Sequence, residues 1–152
     1  MTDEAYKQIR GTLIKLDLGD STDVAATLFD HARSLGRRAN FTVDFAAEGL
    51  SSPLPLNTQL AIVYIFREAL INVEKHAHVH KVRIRIDWAR EGLTVHLSDD
   101  GCGFVPETVL PDGHFGLKIM RERAQEISAH LALVSHPGAG TQVTMWVPVP
   151  HS

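Results

Sequence analysis

Glu68, Asn72 and Lys75 stand at i, i+4 and i+7 in a segment whose apolar residues recur with helical spacing. At about 3.6 residues per turn the three share one narrow stripe. The apolar set Ile62, Ile65, Phe66, Ala69 and Val73 covers the neighbouring arc, so the stripe borders a core and can line a cleft. An Asn carbonyl oxygen is a hard ligand suited to Mg²⁺, which keeps several waters and binds substrate phosphates besides one or two protein oxygens. Lys75, one turn on, would counter phosphate charge. The plainer alternative is a solvated helix face carrying an i, i+4 pair.

A second group, Asp99-Asp100-Gly101-Cys102-Gly103-Phe104, follows the apolar run Leu93–Leu97. A carboxylate at a strand's end can accept from the amino group of a base, and two glycines one residue apart let backbone approach a ligand. A dinucleotide fingerprint is excluded, because no helix opens at these glycines and a third glycine is missing. The alternative is a turn rich in Asp and Gly. In Asp112-Gly-His-Phe-Gly-Leu-Lys-Ile-Met120 a glycine-flanked loop opens a helix expected to begin at Gly116. Free amides at such a start can bind phosphate, with Lys118 nearby. Gly138-Ala-Gly-Thr-Gln142 reads as a hairpin turn with Thr141 at the edge of the site.

Competing chemistries fare worse. His76, His78 and His80 alternate across a helix end with no cysteine cluster and no HExxH pattern, which argues against zinc. A Walker A loop and a GxSxG elbow are absent. Cys102 has no evident base or resolving cysteine beside it, so a catalytic thiol is not supported.

The elements that must position these groups can be read along the chain. Residues 4–17 carry Ile9, Leu13 and Leu16 at helical spacing and form a lead-in that ends at Gly19-Asp20. Ser21, Thr22 or Asp23 then caps a helix to about Arg38, with Val24, Leu28, Ala32 and Leu35 on one face. Phe41–Phe45 alternates like a half-buried strand, and Asn57 or Thr58 is expected to cap a long helix reaching about Ala77. Residues 81–88, a turn at 90–92 and residues 93–97 read as a hairpin. Residues 100–115 hold five glycines or prolines and read as a mobile loop. After the helix from Gly116 to about Ser128 come strands near Leu131–Ser135 and Gln142–Val147. The expected fold is α+β, a two-layer sandwich: a mixed sheet of about five strands covered on one face by about three helices.

Composition bounds the rest. The 152 residues hold 15 Lys+Arg against 18 Asp+Glu, a net charge of −3, which disfavours a nucleic-acid partner. At 44% hydrophobic and 22% charged, the chain is an ordinary globular domain, and one cysteine allows no internal disulfide framework. The longest apolar run, Ala61–Phe66, is six residues, against roughly 20 for a membrane helix, so no direct membrane contact is expected of this segment.

Taken in order, these groups are Glu68-x3-Asn72-x2-Lys75-His76-Ala77, Asp99-x-Gly101-x-Gly103-Phe104, His114-Phe-Gly116-Leu-x-x-Met120-x-x-Arg123-Ala124 and Gly140-Thr141. The series resembles the N, G1, G2 and terminal glycine boxes of the ATP-binding domain shared by sensor histidine kinases, gyrase, heat-shock ATPase chaperones and MutL. The third box is similar to that of the nitrate/nitrite-sensor subfamily of two-component kinases, and the resemblance covers about residues 5–149. It implies that Glu68, Asn72, Lys75, His76, Asp99, Gly101, Gly103, Phe104, His114, Gly116, Leu117, Lys118 and Thr141 surround ATP and Mg²⁺. Asn72 would hold the metal, Asp99 the adenine amino group and the backbone at Gly116 the phosphates. Lys75 and Lys118 would neutralise phosphate charge, and residues 104–115 would form a short lid.

Residues 1–20 would be the tail of a dimerisation helix and residues 21–150 the catalytic domain. The implied partners are a phosphoacceptor-histidine segment of the same parent kinase and a response regulator, in a homodimeric parent anchored in the membrane with this domain in the cytoplasm. Two departures stand out. Asp100 replaces a common asparagine and would add negative charge near the nucleotide. Residues 1–20 contain no histidine and His31 is followed by Ala32, so the acceptor lies outside this chain. Two other functions fit the same boxes: an ATP-hydrolysing switch of the gyrase or MutL kind with Glu68 activating water, or a degenerate partner-binding module.

Overall fold

The computed structural model describes residues 23–76, 79–101, 111–136 and 138–149. The lead-in expected over residues 4–17 lies outside them, as do residues 102–110 of the expected loop. Helix α1, Val24–Ala39, opens at Asp23, whose carboxylate accepts from the Ala25 amide at 3.0 Å, and closes at Asn40 in the left-handed region at φ 68°. Those are the side-chain cap and αL stop that helix ends favour. Strand β1 is Thr42–Glu48 and helix α2 is Leu56–His76.

The start of α2 corrects one expectation. The Gln59 amide donates to the carbonyl of Pro55 at 3.0 Å, so Pro55 holds the cap position and Asn57 and Thr58 lie inside the first turn. Pro55 has no side-chain acceptor to offer. The Gln59 side chain instead donates from Nε2 back to the Leu54 carbonyl at 2.8 Å, fastening the connector to the helix.

Strands β2 (Lys81–Trp88) and β3 (Gly92–Asp99) form the hairpin, closed by the Ala89 amide donating to the Gly92 carbonyl at 2.8 Å. Helix α3 is Pro111–Glu126, β4 is His130–Ser135 and β5 is Thr141–Pro148. The sheet order is β1-β2-β3-β5-β4, with β1 parallel to β2 and every other pair antiparallel. The mixed five-stranded sheet and the three helices of the described residues match the α+β sandwich read from the sequence.

Alternation fixes the faces, because successive strand side chains point to opposite sides. Val82, Ile84 and Ile86, Leu93, Val95 and Leu97, and Val143, Met145 and Val147 are all buried. They meet Leu28, Ala32 and Leu35 of α1, Ile62, Ile65, Phe66, Ala69 and Val73 of α2, and Leu117, Met120 and Ala124 of α3 in one core. The opposite face is polar, with Asp44 of β1 ion-paired to Arg83 and Arg85 of β2. Across the helical layer α2 lies between α1 and α3.

The larger correction is the start of α3. It begins at Pro111, five residues before the expected Gly116. Pro111 suits the first helical position, where its fixed φ is already helical and its missing N–H is one that would have no partner. Gly116 therefore falls in the second turn. The first-turn amides left without intrahelical acceptors belong to Asp112 and Gly113.

Candidate functional site

The alternation that buries Leu93, Val95 and Leu97 carries Asp99, the last residue of β3, onto the same helix-covered face. There its carboxylate is half-buried. Oδ1 accepts from the Gly101 amide at 2.7 Å, and the Thr141 amide of β5 also donates to the carboxylate. Oδ2 is buried and has no hydrogen-bond partner among the described residues. Burial pushes the Asp99 carboxyl above its ordinary value, the two backbone amides oppose this, and the charge of Asp100 adds to the rise. A carboxylate held with one oxygen satisfied and the other unmet is a seat for a ligand that brings a donor.

Two supports surround that seat. Gly140, at φ +77°, passes so close that a Cβ there would lie 2.2 Å from the Asp99 carbonyl oxygen. Only glycine meets both the torsion and the approach. Behind it, the buried hydroxyls of Ser135 and Thr141 lie 2.8 Å apart, and Ser135 Oγ donates to the Gly140 carbonyl at 3.2 Å. Ser135 was not singled out from sequence. Its one signal there is a polar residue closing an otherwise apolar alternation in β4.

Asp100, next along the chain, has backbone partners of its own. Its Oδ1 accepts from the backbone amides of His80 at 3.0 Å and Lys81 at 3.2 Å, at the start of β2. Partial burial is the largest single influence on it and pushes the carboxyl up, but the amides of His80, Lys81 and Asp100 itself together hold it below its ordinary value. The charge still reaches Asp99, as the last of the four influences on that group. The side chain itself is turned to the β2 backbone.

The helical part of the site is built at the α2–α3 contact. Asn72 and Glu68 are half-buried on α2, and Asn72 Nδ2 lies 3.9 Å from Sδ of the fully buried Met120 on α3. With its NH₂ engaged by sulfur, the Asn72 carbonyl oxygen has no hydrogen bond among the described residues. Met120 was quoted from sequence only as part of a motif; its i, i+3 relation to buried Leu117 is the signal for this inward contact. Arg123, one turn on, stacks 5.2 Å over the Tyr64 ring and ties the same two helices.

Among the expected site residues, the structure therefore brings together Asp99, Gly101 and Thr141 at the sheet end. Asn72 and Glu68 share the α2 stripe, with Leu117 buried and Lys118 exposed on α3. The backbones of Lys75 and His76 are in the last turn of α2 and those of His114 and Gly116 in α3, but their side chains lie outside the description. Gly103 and Phe104 lie outside the described residues. Among the described residues no three His, Cys, Asp or Glu side chains cluster for a metal. A cation at Asn72 would take its other ligands from phosphate and water. No helix among them is long and apolar enough to cross a membrane.

Comparison with known proteins adds to this geometry. Residues 57–151 match the model of the histidine kinase-, DNA gyrase B- and HSP90-like ATPase family. The chain is 28% identical to the signal transduction histidine-protein kinase/phosphatase DegS of Brevibacillus brevis, covering 97% of this chain and 42% of that protein. It is 32% identical to the nitrate/nitrite sensor protein NarQ of Escherichia coli K12, covering 93% of this chain and 25% of that one. Among solved structures, the blue-light activated histidine kinase EL346 of Erythrobacter litoralis superposes with a TM-score of 0.70 at 25% identity, over 83% of this chain and 42% of that one. The chain thus spans less than half the length of these relatives.

Proposed function

The chain belongs to the histidine kinase-, DNA gyrase B- and HSP90-like ATPase family, as an ATP-binding domain of the sensor histidine kinase type, and from that premise we propose that it binds Mg²⁺-ATP and donates the γ-phosphoryl group to a histidine on a separate dimerisation segment. The observation that carries this reading is the unmet Oδ2 of Asp99. An adenine amino group supplies the donor that this oxygen lacks.

In this reading the side chains divide the nucleotide between them. Asp99 accepts from the base, while Gly101 and Thr141 fix the carboxylate through their amides. Asn72 offers a carbonyl oxygen to Mg²⁺, whose role when bound is to neutralise charge on the β- and γ-phosphates. Lys75 and Lys118 add counter-charge, and the free first-turn amides of α3 at Asp112 and Gly113 are the backbone donors for phosphate, with Gly116 one turn on. Glu68 and His76 complete the polar stripe of α2. Leu117 belongs to the floor, Gly103 lets backbone approach the nucleotide, and Phe104 and His114 belong to the lid over it. Phosphoryl transfer relies on positioning and electrostatics, so no protein nucleophile is needed in this domain. The response regulator that receives the phosphate, the homodimeric parent and its membrane anchor are part of the same proposal.

Titrating a fluorescent ATP analogue with and without Mg²⁺ tests it. Saturable binding that tightens with Mg²⁺ is expected, and no saturable binding would sink the proposal. Adding the upstream acceptor segment of the parent protein with γ-labelled ATP should then give an acid-labile, base-stable phosphoprotein.

A further inference from the structure

The ladder between β2 and β3 ends where Val82 faces Asp99. Beyond that pair the amides of His80 and Lys81 would have no strand partner. The Asp100 side chain takes both, through one oxygen at 3.0 and 3.2 Å. His80 is also held from its other side, since its carbonyl accepts from the Thr42 amide at 2.9 Å and the Thr42 hydroxyl at 3.2 Å. His80 stands four residues after His76, the last residue of α2, the helix that carries Asn72. The carboxylate of Asp100 thus joins the exit of that helix to the turn that presents Asp99.

We propose that Asp100 is a positioning residue: by clamping the His80 and Lys81 amides it sets the turn that aims Asp99 relative to the helix carrying Asn72. The proposal rests on the nucleotide reading above. The clamp does its work from a solvent-exposed position, where water can replace it at the amides, so losing it changes the aim of Asp99 more than the stability of the fold. The acceptor is a single oxygen, which an asparagine carbonyl reproduces without the charge that raises Asp99.

The test compares Asp100→Ala and Asp100→Asn with the unaltered chain, measuring affinity for ATP and for a purine triphosphate lacking the 6-amino group. Base discrimination is the ratio of the two, which a loss of stability alone leaves unmoved. Asp100→Ala should lower that ratio by about fivefold, about one kilocalorie's worth of lost aim, whereas Asp100→Asn should keep it. If Asp100→Ala fails to fold, Asp100→Glu, which keeps the charge and shifts the oxygens by one methylene, carries the same comparison. Unaltered discrimination in the alanine variant, or loss in the asparagine variant equal to that in alanine, overturns the positioning role. Failure of the unaltered chain to bind ATP overturns the nucleotide reading instead, so the two failures are distinct.

Discussion

Asp99→Asn should weaken ATP binding and at the same time stabilise the nucleotide-free domain. Asparagine keeps an oxygen for the Gly101 and Thr141 amides but replaces the unmet Oδ2 with an NH₂, which meets the adenine amino group donor to donor. A hydrogen bond to a charged group contributes about 1.5–3 kcal/mol, so affinity should fall by about 10- to 150-fold. A triphosphate lacking the 6-amino group should already bind the unaltered chain this weakly, and the substitution should cost it little more. Stability moves the other way. Because the folded-state pKa of Asp99 is raised, the group favours folding only when protonated; above that pKa its charge opposes folding. Removing the charge should therefore raise the melting temperature at pH 7–8, and the gain should vanish as the pH falls to about 4, near the ordinary carboxylate value. The NH₂ is as unmet in the free domain as the oxygen it replaces, so only the charge is relieved; for a half-exposed group that is about 1 kcal/mol, or about 2–4 °C for a chain of this length. Calorimetric titration with the two triphosphates and thermal melts at both pH values measure all of this. Equal loss of affinity for both triphosphates, or a lowered melting temperature at pH 8, would refute the reasoning.

Asn72→Ala should abolish the tightening of ATP binding by Mg²⁺ while leaving metal-free binding close to its original strength; a Mg²⁺ titration indistinguishable from the unaltered chain rules out Asn72 as the metal ligand. Gly140→Ala places a Cβ 2.2 Å from the Asp99 carbonyl oxygen at φ +77° and should cost at least about 3 kcal/mol in a urea melt, adding backbone strain to overpacking. Gly138→Ala is its control: at φ +82° with no atom within 4 Å of the added carbon, it should cost about 1 kcal/mol.

What could be read from the chain follows from the range of the interactions involved. The α2 set Ile62, Ile65, Phe66, Ala69 and Val73 was legible because burial of a helix stripe is written into its period, and each of these residues is in the core. The parity of β3 likewise put Asp99 on the face of Leu93, Val95 and Leu97. Partners distant in sequence were not legible. Nothing in the local pattern joins Asp100 to His80, Asn72 to Met120 or Ser135 to Thr141, since each pair is set by strand register or helix packing. The starts of α2 and α3 were misjudged for a common reason. At each boundary the start is set by a proline and not by the nearby polar capping residues or glycine: Pro55 stands just before α2 and Pro111 is the first residue of α3.

The sheet end is assembled against its own stability. Burial raises Asp99, the neighbouring charge of Asp100 raises it further, and one oxygen stays unmet. The Gly101 and Thr141 amides oppose that rise, Gly101 through Oδ1, and the glycine at 140 packs against the same residue. The Gly101 amide on Oδ1 and the Thr141 amide hold the carboxylate in place. Among the described residues no donor meets Oδ2, and in the proposed reading a base with an exocyclic amino group would supply one when bound. On that reading nucleotide binding should stabilise the β3–β5 end of the sheet by meeting that oxygen.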